Sequence, residues 1–375
     1  MIKQEKLSVT RAFSMEYRKG KKSGKTLLLN KLVKITGYSR KHLMETLSQA
    51  PCKRRIKRQR KSPYLLIVKP LKKVWVVSNY ACGKRLVPMI PTYLSSLGRF
   101  HKIDVTTEEK RLLKSISAAT VDRLLTHERR KINLKGRSRT KPGSLLKNQI
   151  PIRTFADWTE KKVGFLEIDT VHHCTENNKG DYLHTLDTID VLTGWNECRA
   201  FMGKSERHTV EGLEIIRKRL PFPLLGIDFD TGAEFVNYHL IRYAERNKIT
   251  YTRAREDKKN DQNYIEQQNF SVVRRFVGYQ RLDTYQQLKI LNRLYDLLSD
   301  YQNFFQAVMR LKEKVRNGTR LTRRYDKPKT AYQRVLKCKE ISKETKKTLT
   351  KRFLKLNPRK LLLEITKLGR KLAEK

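Results

Sequence analysis

"LLGIDFDTGAEF", residues 224–235, decides how the middle of this chain is read. It opens as a short apolar run and closes on Thr231-Gly232, after which "AEFVNYHLIRYAERNK" (233–248) takes up a helical period. A short apolar run bounded by turn residues reads as a buried strand. Asp228 and Asp230 stand two apart at its end. Asp228 is still within the run, whereas Asp230 is where the strand gives way to the turn. That carboxyl end is where ligands reach an open sheet.

Working outward, the same pattern extends both ways. "VGFLEIDTVHH" (163–173) is a β-rich strand, and "DYLHTLDTIDVLTGWNECRAFMG" (181–203) is a hairpin turning at Leu192–Gly194. "SERHTVEGLEIIRKRL" (205–220) is an amphipathic helix with Ser205 as its expected cap. "ITYTRAR" (249–255) is a short strand and "NYIEQQNFSVVRRFVGY" (263–279) a helix. The order β-β-β-α-β-α-β-α predicts an α/β domain, a mixed sheet with helices packed on it.

Three acids fall at telling places: Asp169 on the first strand, Asp230 past the fourth, Glu266 in the helix after the last. If strands one and four are neighbours, the two aspartates lie side by side and the helix can bring Glu266 across. Converging carboxylates repel one another and raise their own pKa values unless they share cations. Mg²⁺ takes few protein carboxylates and binds phosphate oxygens, and a pair of ions suits phosphodiester displacement. Asp228 is expected to support this site, as are His173 and Asn269, the latter one turn after Glu266. Glu167 shares the face of Asp169 but is expected away from the site. Adjacent residues of a strand face opposite ways, so "HHC" (172–174) cannot converge on one zinc ion.

The 375 residues carry 84 Lys+Arg against 37 Asp+Glu, a formal net charge of +47. Such an excess implies a polyanionic partner, most simply nucleic acid. It is unevenly spread. Residues 1–150 hold 38 basic and 8 acidic side chains, 151–280 hold 19 and 20, and 281–375 hold 27 and 9. Two basic arms flank a near-neutral middle that has gathered the acids. The five cysteines are scattered and include no C-x-x-C, which argues against a disulfide framework. No apolar stretch approaches the length of a membrane span, and the N-terminus lacks an apolar signal core, so a cytoplasmic, nucleoid-associated protein is expected.

In the N-terminal arm, "TLLLNKLVKITGYSRKHLMETLSQ" (26–49) reads as helix, glycine turn, capped helix: a helix-turn-helix pattern. Leu28, Leu29, Leu32, Val33 and Ile35 form the first apolar face, and Leu43, Met44 and Leu47 the second. Arg40, Lys41 and His42 occupy the first turn of the second helix, where such motifs meet DNA. Residues 106–131 give a second candidate, its recognition helix starting near Ala118 with Asp122 and Arg123 exposed. The expected domains are a helix-turn-helix region over 1–135, a Gly/Pro/Lys-rich linker over 136–160, a core over 161–281, and a basic, mostly helical region over 282–375.

The middle resembles a known family. Asp169 in "LEIDTVHH", Asp230 in "DFDTGAEF" and Glu266 in "YIEQQN", with 35 residues between the last two, are similar to the signature of retroviral-integrase-like DDE transposases. "GKRL" (83–86), "KGRSRTKPG" (135–143), "IPIRTFADW" (150–158), "LPFPLLG" (220–226), "VVRRFVGY" (272–279) and "RRYDKPKTAYQR" (323–334) resemble bacterial insertion-sequence transposases. The resemblance implies a ribonuclease-H-like core, Mg²⁺ or Mn²⁺ (two ions) held by Asp169, Asp230 and Glu266, and cleavage and joining of DNA. It further implies a homo-oligomer acting on the element's terminal inverted repeats and on target DNA. The chain departs from the pattern at Thr231, where relatives carry Asn, and after Glu266. There Arg274 and Arg275 are expected to take the DNA-contact role of lysines. The expected function is a transposase. The alternatives are a catalytically silent DNA-binding regulator of the same fold and a structure-selective nuclease.

Overall fold

Gly37 shows how the first helices are arranged. It ends α3 (Lys22–Thr36) in the left-handed conformation, φ 67°, which frees the chain to re-enter helix at α4 (Arg40–Ser48). Ser39 caps α4 as expected, its hydroxyl accepting from the His42 N–H at 3.3 Å. Leu28, Leu29, Leu32, Leu43 and Leu47 bury a small core, walled by Val9, Phe13 and Tyr17. Those three come from and around α1 (Lys3–Ala12) and α2 (Ser14–Lys19), two helices the sequence pattern did not single out. Ile35 and Met44, expected on the apolar faces, are instead 44% and 45% exposed. Thr36, one turn beyond Leu32, continues the buried stripe in place of Ile35, its hydroxyl donating to the Leu32 carbonyl. A computed structural model describes residues 2–48, 62–131, 162–175, 179–203, 205–229, 238–253, 265, 269–317 and 320–374. Asp230 and Glu266 lie outside them.

The chain divides into two compact units, Met1–Pro63 and Tyr64–Lys375. The division falls well before the expected boundary at 135, because residues 64–131 join the same unit as the sheet. They form α5 (Val68–Val77), α6 (Gly83–Leu86), α7 (Ile90–Arg99), α8 (Thr107–Ser115), α9 (Ala118–Leu124) and α10 (Thr126–Arg130). Helix α9 starts at Ala118, as expected for the second candidate module, and Ser117 caps it. A side chain at Gly83 would meet the Ala118 carbonyl at 2.2 Å, so glycine is what lets α6 approach α9. Asp122, expected to be exposed, is half-buried. It accepts from the Gly83 N–H at 2.8 Å and pairs with Arg129 at 2.8 Å. Arg123 is exposed.

In the second unit, β1 (Phe165–His172), β2 (Leu183–Asp190), β3 (Asn196–Met202), β4 (Gly226–Phe229) and β5 (Thr250–Arg253) make one sheet in the order β3-β2-β1-β4-β5. The first three are antiparallel, and β4 and β5 run parallel to β1. Strands one and four are therefore neighbours, the condition on which convergence of the acids rested. Leu166, Ile168, Ile227 and Phe229 pack with Leu213 and Ile216 of α11 (Glu206–Arg219) and Leu240 and Ala244 of α12 (Tyr238–Asn247). Ser205 precedes α11, but its side chain makes no capping bond.

The other face of the sheet is more polar. The segment expected as one helix over 263–279 is π-wound at Asn269–Arg274 and ends in a single turn, α13 (Arg275–Val277). Helix α14 (Tyr285–Phe305) bonds across this face: Tyr295 to Thr185, Ser299 to Glu197, Asn303 to Asn196 and Asn292 to Ala200. Its far side receives α5 and α7. The Tyr301 hydroxyl donates to the Val77 carbonyl at 2.7 Å, and Tyr93 donates to the Phe305 carbonyl at 2.8 Å. The C-terminal region, expected as mostly helical, also holds two strands. A two-stranded antiparallel ribbon, β6 (Leu311–Asn317) and β7 (Arg320–Tyr325), precedes α15 (Ala331–Lys337), α16 (Lys343–Lys355) and α17 (Pro358–Ala373). Leu361, Ile365 and Leu372 of α17 are buried in the same core cluster as Leu291, Leu294 and Leu298 of α14.

Candidate active site

Alternation along β1 puts Leu166 and Ile168 into the apolar face and Glu167 and Asp169 on the opposite one. Glu167 pairs in register with Asp228, and Asp169 with Asp187 of β2. Four carboxylates thus share one face of three neighbouring strands. They differ in burial. Glu167, Asp187 and Asp228 are fully buried, and Asp169 is half-buried. Asp169 is therefore the one of the four that can meet a hydrated ligand.

Asp169 is held on both oxygens. Oδ1 accepts from the Thr170 N–H at 2.7 Å, and Oδ2 accepts from the Asn269 amide. Asn269, expected near the site, therefore orients the carboxylate. Its own Oδ1 is buried with no hydrogen-bond partner among the described residues. Glu167, expected away from the site, bonds the chain at the residue before position 266: its Oε2 accepts from the Ile265 N–H at 3.0 Å. One strand thus grips the chain at 265 and at 269, on either side of position 266 in the sequence. Sequence alternation could give the shared face of Glu167 and Asp169, but not a partner 98 residues away.

Asp228 accepts from the Thr252 hydroxyl of β5 at 2.6 Å, a supporting bond inside the sheet. Phe229 pairs with Ile168, the residue before Asp169, and Asp230 follows Phe229 in the chain. Asp187 accepts from the Asn196 amide at 2.6 Å and the Cys198 thiol at 3.2 Å. Burial pushes its carboxyl up to about 7, with those hydrogen bonds pulling the other way. His173 is fully buried, its Nε2 bonded to the Thr185 hydroxyl at 2.9 Å. Burial, then the charge of Arg274, drives its pKa well below the ordinary imidazole value.

Arg274 and Arg275, expected as DNA contacts, are half-buried, and each donates to a backbone carbonyl. Arg274 donates to the His172 carbonyl at 2.8 Å and stacks over Tyr279, and Arg275 donates to the Asn79 carbonyl at 2.5 Å. Burial lowers the pKa of both guanidinium groups. In the N-terminal unit Arg40, Lys41 and His42 are all exposed. Arg40 donates to Asn30 of α3 at 2.5 Å, and His42 packs edge-on to Tyr38.

Among the described residues no three His, Cys, Asp or Glu side chains converge as a metal centre requires. What is described nevertheless fits a hard divalent cation. Asp169 and the unengaged Asn269 Oδ1 are oxygen donors side by side, and such cations select oxygen. No described helix is long and apolar enough to cross a membrane.

No protein-family model matches the chain. It is 36% identical over 318 residues to the uncharacterized protein y4rM of Sinorhizobium fredii, covering 83% of this chain and 89% of that one. Two solved structures show a weaker likeness. The catalytic core domain of BIV integrase aligns with 37% of this chain and 83% of its own, at 14% identity and a TM-score of 0.29. The HTLV-2 integrase catalytic core domain in complex with magnesium aligns with 38% and 88%, at 13% and 0.29. Scores this low assign neither fold nor chemistry.

Proposed function

The chain belongs to the family of the Sinorhizobium fredii protein y4rM, and on its own residues we propose that it is a metal-dependent DNA transposase. One observation carries this reading: β1, which bears Asp169, is bonded to residues 265 and 269, on either side of Glu266 in sequence. Strand β4, which leads into Asp230, is hydrogen-bonded beside β1. Asp169, Asp230 and Glu266 are the proposed ligands. Two Mg²⁺ or Mn²⁺ ions bound there would supply charge stabilisation to an attacking and a leaving oxygen.

The chain's own residues divide the remaining work. Asn269 and the Thr170 N–H fix the orientation of Asp169, so the carboxylate loses no freedom when it binds. Glu167 fixes the backbone next to Glu266. The exposed Arg40, Lys41 and His42 belong to the unit proposed to grip the element's terminal inverted repeats. The reaction is hydrolysis of a phosphodiester at the element's end, followed by in-line attack of the freed 3′-OH on target DNA. No covalent protein–DNA intermediate is required.

The test uses the full chain and a labelled duplex carrying the inverted repeats that flank its gene. The expected result is metal-dependent release of a 3′-OH at the element boundary, abolished by a chelator. Tight binding to the same ends with no cleavage in either metal would make the chain a DNA-binding regulator instead. Equal cleavage of branched DNA lacking those ends would make it a structure-selective nuclease.

A further inference from the structure

Arg274 and Arg275 are half-buried and bonded to backbone carbonyls, whereas the ribbon β6–β7 presents basic side chains to solvent. Residues 311–325 contain six Lys or Arg and one acid, Glu313. Arg316, Arg323 and Arg324 are exposed, as are Thr322 and Tyr325. Neither strand joins the five-stranded sheet. The register sets Lys314 opposite Arg323 and Glu313 opposite Arg324. The Arg324–Glu313 pair is solvent-exposed, and such pairs contribute little to stability. The ribbon's exposed positions therefore contribute charge rather than core.

Its root, by contrast, is rigid. The Arg310 N–H donates to Asp326 Oδ1 at 2.7 Å, and the Asp326 N–H donates back to the Arg310 carbonyl at 2.9 Å. Arg334 clamps the same carboxylate at 2.6 Å, and both partners of that ion pair are nearly buried. The Arg310 guanidinium donates to the Asp190 carbonyl at the end of β2 at 3.1 Å. An anchored, charged strand pair thus extends from the end of the sheet. Its seven-residue strand spans roughly 20 Å at the usual rise of a strand.

We propose that β6–β7 is a DNA-reading element that enters the major groove of duplex DNA. The major groove of B-DNA, about 12 Å wide, admits a two-stranded ribbon. Strands about 4.8 Å apart, with side chains on both faces, fill such a groove. The charge complements phosphates on either wall, and Arg is the side chain best suited to guanine edges. The inference stands on charge and shape and is independent of the catalytic assignment.

The experiment compares the full chain with its Arg323→Glu/Arg324→Glu variant, changed only at exposed positions. Binding is measured to a fluorescent DNA duplex, to the same duplex with glucosylated hydroxymethylcytosines filling the major groove, and to an RNA duplex. On plain DNA the variant should bind more weakly, and its salt slope should fall by about one for each arginine lost from a phosphate. Glucosylation should weaken the unaltered chain more than the variant, whose N-terminal unit still meets the groove. The RNA duplex has a major groove too narrow to enter, so the substitutions should cost much less affinity on it than on DNA. Unchanged affinity and slope on plain DNA would overturn the proposal. So would equal losses on DNA and RNA with glucosylation weakening both proteins alike, which would reduce the ribbon to a general phosphate contact.

Discussion

Glu167 is the residue whose role the structure changes most. A buried carboxylate at the centre of a sheet is costly unless it is hydrogen-bonded, and this one accepts from the Ile265 backbone N–H. The bond fixes a backbone position, so the acceptor atom matters more than the charge. Glu167→Ala should lower end cleavage by about 10- to 100-fold, the usual cost of losing a group that orients a metal ligand. Glu167→Gln keeps an acceptor oxygen and should restore most of the rate. End binding should be unaffected in both. A glutamine variant as poor as alanine would remove Glu167 from this role. At this scale alternation was enough to place Asp169 on β1, opposite the apolar face. It was silent on Arg274 and Arg275, because nothing local marks a guanidinium whose acceptor lies 102 or 196 residues away.

The elements of the sheet are tied to their covering helices by few but well-satisfied polar contacts. Glu197 of β3 is buried, accepting from Arg219 of α11 at 2.9 Å, Ser299 of α14 at 2.7 Å and the Trp195 indole at 3.0 Å. Burial raises its pKa even though Arg219 pulls it down. Removing Glu197 leaves the Ser299 hydroxyl and the Trp195 indole without their acceptor, while Arg219 keeps Asp296 as a partner. Glu197→Ala should therefore cost about 2–4 kcal/mol in urea unfolding. A loss under about 1 kcal/mol, as for an exposed pair, would contradict that account. The strands themselves were legible from alternation and flanking turns. The ribbon β6–β7 was not, because lysine and arginine at alternate positions erase the apolar/polar period. Its one local signal is Asn317-Gly318, a dipeptide favoured in tight hairpin turns. The π-wound segment at 269–274 was equally hidden, since its apolar spacing reads as ordinary helix.

Across the whole molecule, charge and carboxylates are separated. The near-neutral segment holds the proposed site, and the basic excess lies before and after it in the sequence. The sequence made this division visible, but not that residues 64–131 build one unit with the sheet. Contacts such as Tyr93 to Phe305 join segments 212 residues apart and leave no periodic trace. The central claim is that Asp169, Asp230 and Glu266 form one metal-dependent cleavage site. Its most direct test is cleavage of a labelled end duplex in Mg²⁺ or Mn²⁺ by Asp169→Asn, Asp230→Asn, Glu266→Gln and Asp228→Asn, with binding measured in parallel. The first three should bind the ends normally and release no 3′-OH, because each loses a carboxylate that stabilises transition-state charge. Asp228→Asn, whose bond to Thr252 is structural, should retain measurable cleavage. An active Asp230→Asn beside a dead Asp228→Asn would contradict the claim.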